Sequence, residues 1–261
     1  MVQIDIFLFP LLATWLESKV YGIRPPDQPG WLKRVLGKSG NVDRDVPEGA
    51  AVRVTNLRKL YSTKTLGFIG KSKPVTAIED LSFDVPKVCF SSRVGMKIEV
   101  LIDIKGEIFC LLGRNGAAKS TTLGAIAKLL NFTSGKISYA EDLKIGIATQ
   151  KDVLWDELNC RQHVQLWRAI KSTKNHQQLE SDLDLLARCD LAPKVRFLSQ
   201  NLSGGQKRKL QLACALAGGS NLLLLDEISS GLDPLSRRAI WKLITANRGT
   251  STIILTTHCE S

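Results

Sequence analysis

The chain has 261 residues, of which 44% are hydrophobic and 23% charged. These proportions exclude a disordered chain, a collagen-like chain and a membrane protein with several spans. Lysine and arginine total 36 against 25 aspartate and glutamate residues, for a net charge of +11. Such an excess is typical of a solvated surface or of a surface that contacts polyphosphate, nucleic acid or anionic lipid, and charge alone does not choose between them.

The first 50 residues are predicted to precede the compact domain. Ile6–Leu16 is an uncharged stretch of eleven residues, whereas a membrane-spanning helix needs about 20 apolar residues. The stretch is therefore either a buried or interfacial helix or one end of a longer membrane helix. Val20–Gly49 is rich in Pro, Gly and charge and is typical of a linker, so the domain is expected to begin near Ala51.

The six cysteines are scattered, without a CxxC pair or the spacing of a zinc site. Several lie in apolar runs, such as Cys110 in IFCLLG and Cys214 in LACALAG. This pattern predicts buried, unpaired thiols in a reducing compartment. The three histidines are not paired at ligand spacing, so a structural metal site is not expected.

A phosphate-binding loop is predicted between residues 113 and 121. Glu107–Leu112 has the length of a buried strand, and apolar residues at helical spacing begin at Thr122. Loop and helix N–H groups in this context converge on phosphate oxygens, with Lys119 bridging the β- and γ-phosphates and the Ser120 hydroxyl ligating Mg²⁺. A glycine-rich turn is the alternative. The predicted nucleotide-binding residues are Gly113, Arg114, Asn115, Gly116, Ala117, Ala118, Lys119, Ser120 and Thr121.

Ala118 departs from the pattern Gly-x-x-x-x-Gly-Lys-Ser/Thr, which has glycine at this position. An added Cβ is expected to crowd the phosphates or to strain the loop, because glycine alone adopts such backbone conformations without cost.

Later segments add further candidates. Leu143–Ala148 is a predicted strand followed by Gln150, and LSGGQ, Leu202–Gln206, precedes a basic amphipathic helix. Four leucines then lead into Asp226 and Glu227, as in a buried parallel strand with acids at its carboxyl edge. The first acid suits Mg²⁺ and the second suits polarising a water molecule. The remaining candidates are SGLD with Asp233, and Ser251–Thr257 ending on His258.

The order and spacing of these motifs resemble the nucleotide-binding domain of ATP-binding cassette (ABC) proteins, from about Ala51 to the end. LSGGQ is matched letter for letter. The stretches LSGGQKRKLQLACALAGGS, SRRAIWKLI and TIILTTH look most like the A subfamily, whose members move lipids and related amphiphiles. By the same resemblance, IFLFPLLATWLE is similar to the end of the last membrane helix before such a domain.

The resemblance implies a role for each candidate residue. Tyr61 would stack on adenine, although a buried core tyrosine is the alternative. The implied Mg²⁺ ligands are Ser120, Gln150 and Asp226, the implied catalytic residues are Glu227 as general base with His258 and Gln150 at the γ-phosphate, and Asp233 would lie in the D-loop. Leu202, Ser203, Gly204, Gly205 and Gln206 would cap ATP bound to a second cassette in a head-to-tail dimer.

The implied fold is α/β, a P-loop NTPase core with a mainly parallel sheet, an antiparallel β subdomain and an inserted α-helical subdomain. The expected central strands are Glu107–Leu112, Leu222–Asp226 and Thr252–Thr256, and the antiparallel part should include Val52–Thr55 and Ala77–Val85. The helical subdomain is expected at about 151–200, facing a transmembrane domain on the cytoplasmic side of a membrane. A nucleic-acid partner is not expected.

Three further features depart from the family pattern. Val88–Lys105 stands where the family needs a tight turn, and its removal leaves FDVPKGEIFCLLG, which reads smoothly. We interpret it as a retained intron or gene-model error, with a genuine surface loop as the alternative. The chain also ends just past His258, where the family continues, so a truncated carboxyl terminus is expected. Ile228 and Ser229 replace the family's Pro-Thr.

Three functions remain open from the sequence. The first is the ATPase cassette of a membrane transporter, most like the A subfamily. The second is a nucleotide-binding remnant that does not hydrolyse ATP. The third is a soluble ABC ATPase that acts on nucleic acid or ribosomes, although such proteins tend to have tandem cassettes or a long coiled coil, which the chain lacks.

Overall fold

The computed structural model describes residues 46, 49–61, 75–87, 99–102, 108–141, 143–171, 180–247 and 249–257. Nearly all of the predicted membrane-proximal segment 1–50, most of the inserted segment 88–105 and His258 lie outside the described residues. Among the helices that the structure describes, none combines the length and the apolar composition that a membrane span requires.

Four described strands precede the first helix, and three helices lie between the sixth strand and the seventh. The strands are β1 (Ala50–Tyr61), β2 (Val75–Pro86), β3 (Glu99–Ile102), β4 (Ile108–Leu112), β5 (Ser134–Tyr139), β6 (Ile145–Ala148), β7 (Leu222–Asp226) and β8 (Thr252–Thr257). The helices are α1 (Lys119–Ile126), α2 (Cys160–Lys171), α3 (Asp182–Arg188), α4 (Gly204–Leu216) and α5 (Pro234–Ala246).

The larger sheet has the strand order β3-β4-β8-β7-β6. β4, β8, β7 and β6 are parallel, as predicted, and β3 runs antiparallel to β4. Because all four parallel strands end at the same edge, residues that follow β4, β6 and β7 are brought together there. This edge therefore holds the phosphate loop, Gln150 and the two acids.

The leucine run of β7 explains why this sheet is buried on both faces. Leu223 and Leu225 pack into a core shared with helices α2 to α5, whereas Leu222 and Leu224 pack into a second core with α1 and the smaller sheet. Alternate residues of a strand point to opposite faces, so a strand covered on both sides is apolar at every position. The sequence prediction of a buried parallel strand is confirmed.

The smaller sheet is antiparallel, with the order β2-β1-β5. Val52 is paired with Val85 and Arg53 with Asp84, so the predicted antiparallel segments are confirmed. The Arg53 guanidinium and the Asp84 carboxylate make two hydrogen bonds of 2.8 and 3.0 Å across these strands. The pair is half-exposed, so it fixes register more than it adds stability.

β3 was not predicted from the sequence. It belongs to the inserted segment 88–105, and its residues Glu99 to Ile102 pair with Leu112 to Phe109 of β4. The pairing gives the outer edge of β4 a backbone partner, which an exposed parallel strand otherwise lacks.

Candidate functional site

The phosphate loop joins β4 to α1 and turns through left-handed backbone. Ala118 has φ 62° and ψ 23°, and it directly precedes α1. This conformation favours glycine, and an alanine there costs roughly 1–2 kcal/mol. Ala118 therefore has the left-handed backbone that would strain the loop, as the sequence predicted. The Ala118 methyl group also packs against the core beneath α1.

Lys119 is buried at the start of α1, with 4% of its surface exposed. Its Nζ donates to the carbonyl oxygens of Gly113, at 2.7 Å, and Arg114, at 3.1 Å. These bonds close the loop around the ammonium group. A buried ammonium held by carbonyl oxygens presents positive charge to an anion that enters the loop.

Asp226 lies at the carboxyl end of β7, next to the phosphate loop. The Ser120 hydroxyl donates to Asp226 Oδ1 at 3.0 Å. Mg²⁺ oxygen ligands lie about 2.1 Å from the metal, so residues more than about 10 Å apart do not share one ion. Ser120 and Asp226 meet this requirement, since their side chains touch.

Burial raises the pKa of the Asp226 carboxyl, and hydrogen bonds from Thr256 and Ser120 oppose the rise. A buried carboxylate of this kind gains most from a nearby cation, because desolvation leaves its charge poorly compensated. The donor set and its environment therefore fit a divalent metal ion.

Glu227 follows Asp226 with left-handed backbone, φ 47°. The left-handed residue ends the strand, so the Glu227 side chain does not follow the alternation of side chains along β7. The amide Nε2 of Gln150 donates to Glu227 Oε2 at 2.8 Å. The structure thus brings Ser120, Gln150, Asp226 and Glu227 together, as the sequence predicted.

Two residues that the sequence did not single out hold the segment that contains Gln150. Arg208 of α4 donates from Nη1 to the Thr149 carbonyl at 3.0 Å and from Nη2 to the Gln150 carbonyl. Gln211, one turn later, donates from Nε2 to the carbonyls of Thr149 at 3.1 Å and Lys151 at 2.9 Å. In the sequence, the basic residues after LSGGQ indicate a charged helix, but they do not predict hydrogen bonds to the carbonyl groups around Gln150.

The LSGGQ segment forms the start of α4. Ser203 caps the helix, since its hydroxyl accepts the Gln206 N–H at 3.3 Å while Gln206 Oε1 accepts the Ser203 N–H at 3.0 Å. Ser203 and Gly204 are exposed. A Cβ on Gly205 would lie 2.5 Å from Ser236 Oγ and 3.0 Å from Ser236 Cβ, so a larger residue there would require the Ser236 side chain of α5 to move.

Asp233 caps α5 and is exposed. Its carboxylate accepts the N–H groups of Leu235 and Ser236, both at 3.0 Å. The hydrogen bonds from Ser236 lower the pKa of the Asp233 carboxyl. Asp233 is therefore ionised at neutral pH, and these hydrogen bonds join it to its own helix and not to Asp226 or Glu227.

Residues 101–230 match the family model described as ABC transporter. The chain belongs to the ABC transporter family. Its A-subfamily resemblance is also confirmed, because ABC transporter A family member 5 of Dictyostelium discoideum is 33% identical over 225 residues, covering 82% of this chain and 12% of that protein. Cassettes of ABC transporters are ATPases, so the chain belongs to an ATPase family.

Two further curated relatives agree with this placement. ABC transporter A family member 9 of Arabidopsis thaliana is 30% identical over 251 residues, which are 90% of this chain and 24% of that protein. The phospholipid-transporting ATPase ABCA3 of Homo sapiens is 37% identical over 164 residues, which are 59% of this chain and 10% of that protein. The chain thus spans a quarter or less of the length of these ABC transporters.

Solved ABC cassettes show the same fold. A dimeric cassette in a post-hydrolysis state bound to ADP and Pi has a TM-score of 0.61 and 21% identity, over 80% of this chain and 88% of that one. A dimeric bacterial ABC transporter cassette has a TM-score of 0.62 and 20% identity, with the same coverage. The predicted α/β fold of a P-loop NTPase is confirmed.

Two predicted ABC site residues are not brought to this edge by the described contacts. Tyr61 ends β1 in the smaller sheet, where the Lys59 ammonium lies 4.9 Å from its ring centre. His258 lies outside the described residues. Adenine stacking by Tyr61 and the γ-phosphate contact of His258 therefore stay predictions.

The helical region contains a histidine with a structural role. His163 is fully buried on α2 and accepts the Trp155 N–H at Nε2, 3.0 Å away, while its Nδ1 lies 2.9 Å from the Asn159 carbonyl. Burial lowers the pKa of His163, so the ring is neutral and donates from Nδ1. Trp155 and Trp167 pack beside it, with ring centres 6.4 Å apart.

Proposed function

We propose that this chain binds ATP with Mg²⁺ and hydrolyses it, and that this reaction drives transport across a membrane. The observation that carries the proposal is the contact of the phosphate loop with the first acid, Ser120 Oγ to Asp226 Oδ1 at 3.0 Å. The second acid, Glu227, is fixed beside it by Gln150.

Mg²⁺ would be held by Ser120, Asp226 and Gln150. When bound, the ion would supply positive charge that offsets the negative charge developing during phosphoryl transfer. The fold of the chain holds the Ser120 hydroxyl of α1 next to the Asp226 carboxylate of β7, so that both oxygens can reach one ion. Lys119 adds positive charge from the loop side.

Glu227 is the general base in this proposal. Its carboxylate accepts a proton from the water that attacks the γ-phosphorus, and the oxygen of that water forms the new P–O bond while the bond to ADP breaks. Gln150 donates to one carboxylate oxygen, which orients the other oxygen towards the water.

A second cassette completes the site. The exposed start of α4 offers the Ser203 hydroxyl and the positive end of the helix dipole, which suit a phosphate on another molecule. We infer a head-to-tail dimer with two ATP molecules at its interface. The dimeric state of the solved cassettes supports this arrangement.

A transmembrane domain is the inferred second partner, with the cassette at the cytoplasmic face of the membrane. The substrate class is inferred to be lipid or a related amphiphile, on the strength of the 37% identity to a phospholipid-transporting ATPase. Residues 1–50 are proposed to be the end of a membrane helix followed by a linker.

The test is ATP turnover by the 261-residue chain and its Glu227→Gln variant. The amide keeps the shape of the side chain but removes the base, so hydrolysis should fall by roughly 10²–10⁴ while ATP binding persists. The variant should also accumulate as an ATP-bound dimer. The matched control is Glu157→Gln, which alters an exposed glutamate away from the acid pair. Equal turnover of parent and Glu227→Gln would show that Glu227 is not the base, and ATP binding without turnover by the parent would favour the non-hydrolysing remnant.

A further inference from the structure

Thr256 links the two acids through one hydroxyl group. It lies near the end of β8, fully buried, in register with Asp226 of β7. Its Oγ1 donates to Asp226 Oδ1 at 2.6 Å and accepts the backbone N–H of Glu227 at 3.0 Å. The same hydroxyl therefore touches the first acid's side chain and the second acid's backbone.

The bond to Asp226 fixes the direction of its carboxylate. Ser120 and Thr256 both donate to Oδ1, and neither bond uses Oδ2. When Ser120 turns its lone pairs to a cation, the donation from Thr256 remains and keeps Asp226 in place. A short hydroxyl–carboxylate bond is among the stronger hydrogen bonds of proteins, particularly where burial excludes competing water.

The bond to Glu227 fixes the turn between the acids. Glu227 has φ 47°, a strained conformation for a residue with a side chain. Its N–H is shared by Thr256 Oγ1 and the Thr256 carbonyl, which is 3.3 Å away. These two acceptors hold the peptide that determines where the Glu227 carboxylate points.

A β-branched residue is expected in a buried strand, and valine would supply the same shape. Valine would supply neither hydrogen bond. A valine would remove the 3.0 Å hydrogen bond of the buried Glu227 N–H and the 2.6 Å bond that Asp226 accepts.

We propose that Thr256 is a positioning residue that sets Asp226 for the metal ion and Glu227 for water. This inference rests on the proposed ATPase function. It predicts that the hydroxyl, not the shape of the side chain, determines both the benefit of Mg²⁺ to ATP binding and the rate of hydrolysis.

The experiment compares Thr256→Val, Thr256→Ser and the control Thr252→Val, which alters a buried threonine at the other end of the same strand. ATP affinity is measured with Mg²⁺ and with EDTA, and kcat is measured at saturating ATP and Mg²⁺. Thr256→Val should lose roughly ten- to 100-fold of the Mg²⁺-dependent gain in affinity and a similar factor in kcat. Thr256→Ser should stay close to the parent.

The proposal fails if Thr256→Val keeps the parent's Mg²⁺ dependence, or if Thr252→Val changes it equally. It also fails if Thr256→Ser falls as far as Thr256→Val, because the methyl group would then be the part that matters. The binding measurement needs no turnover. A parent that binds ATP without hydrolysing it would overturn the proposed function and still leave the role of Thr256 testable.

Discussion

The side-chain amide of Gln150 donates to the Glu227 carboxylate, with 2.8 Å between Nε2 and Oε2, although 77 residues separate them in the chain. Gln150 is exposed and lies in an irregular segment after β6, so β6 alone does not fix it. Arg208 and Gln211 of α4 supply the missing support through the carbonyl groups of residues 149–151.

We predict that Arg208→Met lowers kcat by about three- to 30-fold, because the loss of charged hydrogen bonds lets Gln150 leave Glu227 for part of the time. Steady-state ATPase assays check this. The control is Lys209→Met, which removes the neighbouring positive charge, paired with Asp190 at 3.0 Å and away from Gln150. An equal decrease in both variants would indicate an effect of helix charge and not of positioning.

The parallel sheet was predictable because its signals are local. Four consecutive leucines before two acids indicate a strand buried on both faces, and a glycine-bearing loop before Lys-Ser indicates the strand-to-helix turn. These patterns depend on alternation and on turn geometry, which neighbouring residues determine.

The supporting contacts were not predictable because they join distant segments. Thr256 lies in an apolar run that predicts a strand, and the run does not show that its hydroxyl will face Asp226. Arg208 belongs to a basic stretch whose charge suggests a solvated surface. β3 was missed because the segment 88–105 was interpreted as an insertion outside the fold, and its pairing depends on the position of β4.

The left-handed backbone of Ala118 gives a prediction for stability. Ala118→Gly removes a strain of roughly 1–2 kcal/mol. Glycine also increases the entropy of the unfolded chain, which lowers the free energy of unfolding by about 0.5–1 kcal/mol. It also removes the contact of the methyl group with the core. The control Ala117→Gly has the entropic cost alone, since Ala117 is not left-handed. Chemical denaturation should therefore show Ala118→Gly to be the more stable of the two variants, and the opposite order would contradict the strain.

ATP affinity tests a separate effect of Ala118. If its methyl group crowds the phosphates, Ala118→Gly should bind a fluorescent ATP analogue with Mg²⁺ about five- to 150-fold more tightly than the parent. Lys119→Ala should not bind in either background, because the buried ammonium is lost. A glycine variant that binds no better than the parent would show that the methyl group does not reach the phosphates.

The inserted segment 88–105 gives a prediction at the level of the transcript. A retained intron predicts spliced cDNA reads that join Lys87 directly to Gly106. Inclusion of all 18 codons in every read would contradict it and would favour a genuine insertion, for which the pairing of β3 with β4 provides a structural role. Sequencing of cDNA from the source organism decides between the two outcomes.

Lys171 is the last residue of α2, and its ammonium group connects α2 to the end of α4 through hydrogen bonds. Its Nζ donates to the carbonyls of Cys214, at 3.0 Å, and Ala215, at 2.8 Å, and to Ser220 Oγ at 3.1 Å. Burial lowers the pKa of Lys171 to about 8. An unfolded lysine has a pKa of about 10.4, so the unfolded state binds a proton more tightly than the folded state does.

Stability contributed by Lys171 should therefore rise with pH, from about pH 8 to about pH 10.5, because the folded lysine releases its proton first. Lys171→Met removes this pH-dependent contribution as well as three hydrogen bonds. The free energy of unfolding of the parent should therefore rise by up to about 3 kcal/mol relative to this variant between pH 8 and pH 10.5. Urea denaturation at intervals of pH measures the difference. The matched control is Lys242→Met, which removes an exposed lysine of α5. A difference between the parent and Lys171→Met that does not change with pH would show that the folded pKa of Lys171 is not lowered.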